Sequence, residues 1–378
     1  MKRKAHRILT THYGFTLIEL IIVMALVLIV FVMSTDTFSI LIRHSRQQSQ
    51  IVVAEFEGIV GLEMLRADIE QAGFGLPWAF QGAINYQEAQ DSPEKDYNDS
   101  PSNPPRAILS GNNVVHTCNG SDYLVIKSTV TARNATSEKW SYIVKNDMAA
   151  NAQPHEWGIK DFETNERIIA IKPSVGESRI TQLIMDGANF YTSYAAAGAY
   201  PQVFAPQKLT EMFLLYGIAP SSISTLRMPF NRSDYYIRRP ATGMPSTCAP
   251  GTGILYKATL NHADGKLNEM PLIDCVADMQ VIFRLDTDGN GAIDNQTDDI
   301  SALTAQQIRE QVKEVRVYVL LHEGQYDKTY VSSLPNPLPI GEFVLGNDFN
   351  FNSRIGSTWK GYRWKVHTIV VKPRNLFR

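Results

Sequence analysis

The stretch Asp286-Thr-Asp-Gly-Asn-Gly-Ala-Ile-Asp294 puts oxygen-bearing side chains at loop positions one, three, five and nine: Asp286, Asp288, Asn290 and Asp294. Gly291 stands at position six, where an EF-hand loop needs its sharp turn, and Ala292 can offer its carbonyl at position seven. Calcium is a hard cation and takes such an oxygen set, so the spacing points to a bound, structural Ca2+. The pattern departs at position twelve, where Thr297 replaces the bidentate Glu and Asp298 or Asp299 would have to substitute. A strand leads into the loop, where an EF-hand has a helix. The competing reading is an acidic, glycine-rich turn without metal.

A second chemical question sits near the start of the chain. Glu19 is the one carboxylate at the head of an otherwise apolar run from Phe15 to Thr35, 21 residues in all. A run of that length spans about 30 Å of hydrocarbon as a helix. A charged group there costs roughly 2.5–3.5 kcal/mol on insertion scales, so it ordinarily has a partner and a purpose. Lys2, Arg3, Lys4 and Arg7 precede the run and no acid does, which places this end in the cytoplasm. A cleaved secretory signal fits poorly, because the run is long and "DTFSILIRHSRQQSQ" behind it holds no small-residue cleavage site.

Other chemistries find little support. No CxxC, HExxH, nucleophile elbow, phosphate loop or acid–base pair stands out, so the chain reads as a non-enzyme. A formal net charge of −2 speaks against nucleic-acid binding. Three cysteines, Cys118, Cys248 and Cys275, suit one disulfide and one free thiol in an exported protein. Cys248–Cys275 closes the shortest loop, Cys118–Cys248 is the next choice, and spacing leaves the connectivity open.

The elements that position these groups follow from periodicity. Val52, Phe56, Ile59, Leu62, Leu65, Ile69 and Ala72 recur at steps of three and four, an apolar stripe that extends the helix beyond the membrane run. The expected helix runs from Phe15 to Ala72, with Gly58 and Gly61 as weak points; Gly73 suits its left-handed exit and Pro77 prevents continuation. Beyond it, "SDYLVIKSTV", "RIIAIKP", "GILYKATL", "DMQVIFRLD", "EVRVYVLLHE" and "KVHTIVVKP" read as strands. Gln87–Ala107, polar and proline-rich, reads as a long exposed loop. Thr304 and Gln307 form a plausible capping box for a short helix. The expected fold class is α+β: a long N-terminal helix packed on a mostly antiparallel β-sheet head.

"GFTLIEL" (Gly14–Leu20) resembles the class III signal of type IV pilins and pseudopilins. That resemblance implies a prepilin peptidase that cuts between Gly14 and Phe15 and methylates Phe15. Glu19 then becomes the fifth mature residue, and its charge meets the free amine of a neighbouring subunit. The blocks "LRADIEQAGFG", "CVADMQVIFRLDTDGNGAID" and "VVKPRNL" are similar to PilW-type minor pilins. Four segments follow: a basic leader (1–14), a transmembrane half-helix (15–35), an amphipathic periplasmic half (36–76), and a β-rich head (77–378) holding the loop 87–107 and the calcium loop 286–299.

The resemblance implies a minor pilin that helps initiate a type IV pilus and sits at its tip. Its partners would be the peptidase, other minor and major pilins, and the inner-membrane assembly platform. It would begin as a single-pass inner-membrane protein and end outside the cell. The alternatives are a J-type pseudopilin of type II secretion and a tip adhesin.

Overall fold

A computed structural model describes residue 14 and residues 16–145, 152–173, 180–195 and 200–376. The leader residues 1–13 and Phe15 lie outside them. The chain divides into two compact units, residues 1–53 and 54–378.

Helix α1 runs Leu17–Glu70. It begins two residues after the expected Phe15 and ends two before the expected Ala72. A hydrogen-bonded turn takes over at Gln71–Gly75, and Gly73 exits with φ of +82°. No other residue type adopts that angle without strain. In the first unit, Leu17–Thr35 is a 19-residue apolar stretch, about 28 Å at 1.5 Å per residue. Its large side chains are exposed throughout, as a membrane-facing surface would be.

In the second unit the helix stripe is only partly buried. Leu62, Leu65, Ile69 and Ala72 join the main core, whereas Ile59 is 51% exposed and does not. The side chains of Val52 and Phe56 lie outside the described residues. Gly61 is not a weak point. A Cβ there would come within 2.6 Å of Ile273 and 3.0 Å of the Leu272 carbonyl, so the missing side chain lets helix and sheet touch.

Two sheets make most of the body, and the antiparallel pair Leu338–Glu342 with Leu345–Phe349 forms a third, two-stranded one. The larger has eight strands, in the order Arg363–Val371, Val312–Glu323, Leu267–Leu285, Gly253–Leu260, Asn231–Arg238, Tyr123–Ser128, Ile108–Gly111, with Asn295–Thr297 paired onto Leu267–Leu285. Its pairings are antiparallel. The smaller has Ala79–Phe80, Thr181–Leu183, Arg167–Pro173, Met212–Ala219 and Trp140–Val144 in order, with Thr192–Ser193 beside Arg167–Pro173. Ala79–Phe80 pairs in parallel with Thr181–Leu183, the exception to an otherwise antiparallel body. The six expected strands are all present. The strands Asn231–Arg238, Met212–Ala219 and Trp140–Val144 are additions to them. Helix α2, Ala305–Gln311, starts with the Thr304–Gln307 capping box.

The segment 87–107 is not the free loop its composition suggests. Glu88 and Asp99 are buried, and one turn of 3-10 helix, Glu94–Tyr97, lies between them. Glu88 accepts the N–H groups of Asp99 and Ser100 at 2.6 and 3.1 Å. The same two acids meet the fully buried Lys127 at 2.7 and 2.6 Å. The segment is drawn inward because Lys127 and Arg232 point into the protein and need carboxylates there.

Candidate functional site

The start of α1 is built from four residues. Thr16 precedes the helix, and its hydroxyl oxygen accepts the Glu19 N–H at 3.3 Å. In return one carboxylate oxygen of Glu19, Oε2, accepts both the Thr16 N–H and the Thr16 hydroxyl at 3.0 Å. This is a reciprocal capping box, which satisfies backbone donors that a helix start otherwise leaves bare. In a membrane such donors are costly because lipid offers no acceptor. Glu19 therefore has a partner within its own chain, and its signal, Thr-x-x-Glu, is legible in "TLIE". Glu19 Oε1 has no hydrogen-bond partner among the described residues. Gly14 is exposed.

The acidic loop brings together three of the five proposed carboxylate ligands. Carboxylate oxygens of Asp286, Asp288 and Asp294 lie within 4.8 Å of one another. Burial works to raise the Asp286 carboxyl, but the N–H groups of Gly291 and Gly289 and the Lys313 ammonium at 3.4 Å outweigh it and hold it below the ordinary range. Asp294 is likewise held low, first by the Thr287 N–H. Asn290 turns its amide oxygen to the Ala292 N–H at 2.7 Å.

Asp298 and Asp299 are not in the cluster. Asp298 faces the Gly346 N–H at 3.3 Å, and Asp299 accepts the Ser301 N–H at 2.8 Å. The physical reason is the strand Asn295–Thr297: Thr297 registers with Phe283, so the chain leaves the loop along the sheet and carries these acids away. The three converging carboxylates fit a hard cation, and the set lacks the closing bidentate ligand.

Cys248 and Cys275 are joined by a disulfide with Cα atoms 4.8 Å apart, and Cys118 is a free, half-buried thiol. Burial pushes the Cys118 pKa up, so its thiol is not an activated nucleophile. Cys275 itself has φ of +58° and sits where the pairing register of Leu267–Leu285 on Gly253–Leu260 shifts.

Two buried ionic groups escaped the sequence reading. Asp68 of α1 accepts from Tyr235 Oη at 2.7 Å, Thr131 Oγ1 at 3.0 Å and Arg133 Nη2 at 2.6 Å, and pairs with Lys257 Nζ. Across the sheet, Arg232 forks onto Asp234 at 2.7 and 2.8 Å and reaches Glu88 at 3.2 Å. One strand serves both groups by alternation: Arg232 and Asp234 face the 87–107 segment and Tyr235 faces the helix. The only sequence trace is a lone Asp within the apolar stripe.

None of this geometry assembles a nucleophile, base and oxyanion site among the described residues. It shows an apolar helix with a capped start and a head locked to the helix's later half. Residues 10–35 match the prokaryotic N-terminal methylation motif, and residues 234–375 match the family model for type IV pilus-assembly protein W. The two matches support a PilW-type pilin-like protein. The PilW match runs from the strand Asn231–Arg238 to just past Arg363–Val371, the larger part of the eight-stranded sheet. It also includes the acidic loop and both bridged cysteines. No curated protein and no solved structure matches the chain. A PilW-type minor pilin takes part in type IV pilus assembly, so Glu19 and the head surface are the places where this chain's function is to be sought.

Proposed function

We propose that this minor pilin is cut between Gly14 and Phe15, methylated on Phe15, and inserted by Glu19 into a complex of pilins that primes fibre growth and ends at the tip. Before assembly it is a single-pass inner-membrane protein with a cytoplasmic N-terminus, seated on the assembly platform. Its role is structural. The observation that carries this reading is the helix start itself. Glu19 spends Oε2 on its own cap and, among the described residues, leaves Oε1 open, four residues from the amine that cleavage would create. A carboxylate so placed in lipid is favoured by a cation alongside it, and a neighbour's terminal amine is one. The acidic loop is proposed to hold a structural Ca2+ on Asp286, Asp288 and Asp294, fixing the turn between two strands.

The test is the intact mass of membrane-extracted protein from cells with and without prepilin peptidase. Loss of residues 1–14 with gain of one methyl group is expected, and Glu19→Ala is expected to be cut but not assembled. An uncut chain in peptidase-competent cells refutes the reading. Calorimetric titration of the full chain with Ca2+ tests the loop; neither heat nor a change in Tm would remove the metal.

A further inference from the structure

One half-buried cation of the head is met by neutral groups alone. Arg227 closes the turn Ser222–Arg227. Its Nη2 donates to the Glu88 carbonyl at 3.2 Å. The Gln90 amide, with its oxygen turned to the guanidinium, accepts from Nη2 at 3.0 Å and from Nη1 at 3.3 Å. Nε is buried without a partner. Among the described residues no carboxylate pairs with Arg227. Arg167 holds the same turn. It donates from Nε to the Ile223 carbonyl at 2.9 Å and from Nη1 to Ser193 Oγ, and it too has no carboxylate partner among the described residues.

The fold keeps this charge in place. His262, 6% exposed, accepts the Arg227 N–H on Nδ1 at 3.3 Å and meets Asn231 Oδ1 through Nε2 at 3.1 Å. An imidazole that accepts on one nitrogen and donates from the other is neutral. Burial, and then the Arg227 charge, lower the His262 pKa to about 4, so the ring adds no charge at pH 7. Gly265, with φ of +71°, lies against the guanidinium: a Cβ there would come within 2.8 Å of Cζ and Nη2. The Gln87 N–H bonds the Arg227 carbonyl at 2.8 Å and fixes the backbone.

Arg227 lines an open cavity of about 500 Å³. Ser222, Ser224 and Thr225 bring three hydroxyls to it, and Asn85 and Gln87 bring two amides. None of these five side chains is hydrogen-bonded among the described residues, and no Asp or Glu lines the cavity. Free donors around an unpaired cation suit an anion. The geometry separates phosphate from carboxylate. Nη2 is spent on Glu88 and Gln90, and each two-point fork of a guanidinium includes Nη2, so the parallel pair of bonds that a carboxylate takes is closed. A phosphate carries acceptors on several sides and is met by single donors from Ser, Thr, Asn and Gln beside a cation. A cavity of this size also has room for the group the phosphate is attached to.

We propose that this cavity binds a phosphate ester, with Arg227 supplying the charge and the hydroxyls of Ser224 and Thr225 the neutral donors. Two sources carry that chemistry, a soluble ester and a phospholipid headgroup, and the experiment separates them. The full chain, in an uncharged sugar-headed detergent and phosphate-free buffer, is titrated calorimetrically with glycerol phosphate and separately with short-chain phosphatidylglycerol. Saturable binding is expected: glycerol phosphate alone marks a soluble ester, and phosphatidylglycerol, with or without it, a headgroup. Arg227→Gln should weaken binding at least about tenfold, the scale of one lost hydrogen bond to a charged group. Because Arg227 also touches Glu88 and Gln90, Ser224→Ala with Thr225→Val, both at exposed positions, is measured beside it. That pair is expected to keep the wild-type Tm and to weaken binding about fivefold. The proposal is overturned if neither ester binds, if glycerate, the carboxylate counterpart, binds as tightly, or if either variant leaves the affinity unchanged.

Discussion

Asp68 is the side chain whose removal should hurt the head most. It is 2% exposed and sits on α1, where it pairs with Lys257 and Arg133 and accepts from Tyr235 and Thr131. Asp68→Ala leaves the Lys257 ammonium buried, its side chain 3% exposed, with only the Thr131 carbonyl at 2.8 Å for company. Burial already lowers the Lys257 pKa with Asp68 in place, so the stranded charge has little to hold it. Breaking a buried pair from one side costs roughly 3–5 kcal/mol. At about 2 °C per kcal/mol for a body this large, Tm should fall roughly 6–10 °C. The assay is thermal and urea unfolding of the detergent-solubilised full chain. Replacing both partners, Asp68→Leu with Lys257→Met, should recover part of the loss, because no buried ammonium is stranded, while Arg133, its side chain 41% exposed, turns to solvent and Tyr235 Oη loses its acceptor. A loss under about 1 kcal/mol for Asp68→Ala, or a double variant as weak as the single, would refute the idea that this pair locks helix to sheet.

Other outcomes follow from the same geometry. Asp278 is fully buried, and burial, against the Gln280 amide and the Met279 N–H, pushes its pKa up to about 7. Between the unfolded value near 4 and that raised value the folded state binds the extra proton, so this group's contribution to stability rises as pH falls. Measured against Asp278→Asn, the wild type should gain roughly 2–3 kcal/mol from pH 8 to pH 5 in paired urea titrations; a flat difference would refute the assignment. Gly61→Val should cost about 1–3 kcal/mol by forcing Ile273 and the Leu272 backbone away from α1, read as a lower Tm; an unchanged Tm would mean the contact yields freely. The Cys248–Cys275 bridge closes a separation of 27 residues, which corresponds to about 3.5 kcal/mol in the chain-entropy account. Non-reducing peptide mapping should find it, and Cys248→Ser with Cys275→Ser should lower Tm accordingly.

Much of this was legible in order along the chain. The apolar run, its single carboxylate, the basic residues ahead of it and the three-and-four stripe are all local patterns, and a helix repeats every 3.6 residues whatever surrounds it. Six strands were equally plain, because alternation is local too. Even the capping box at Thr16 and Glu19 is written in four adjacent residues. Partnerships between distant residues are not. Asn231–Arg238 hides as a strand because Arg232 and Asp234 look like surface residues until Glu88 is seen reaching in from 144 positions away. Gln87–Ala107 reads as an exposed loop for the complementary reason: two of its acids, Glu88 and Asp99, are polar in sequence and buried only because Lys127 and Arg232 await them. The acidic loop gathers three carboxylates by local spacing, but the register of Thr297 on Phe283 sends Asp298 and Asp299 elsewhere. Sequence alone determined the kind of protein, since that depends on short patterns read by the membrane and by neighbouring turns. Tertiary structure alone decided which charges are buried, where the helix presses through Gly61, and that Arg227 meets neutral acceptors at an open cavity. Those depend on what the folded chain brings to each residue across long separations.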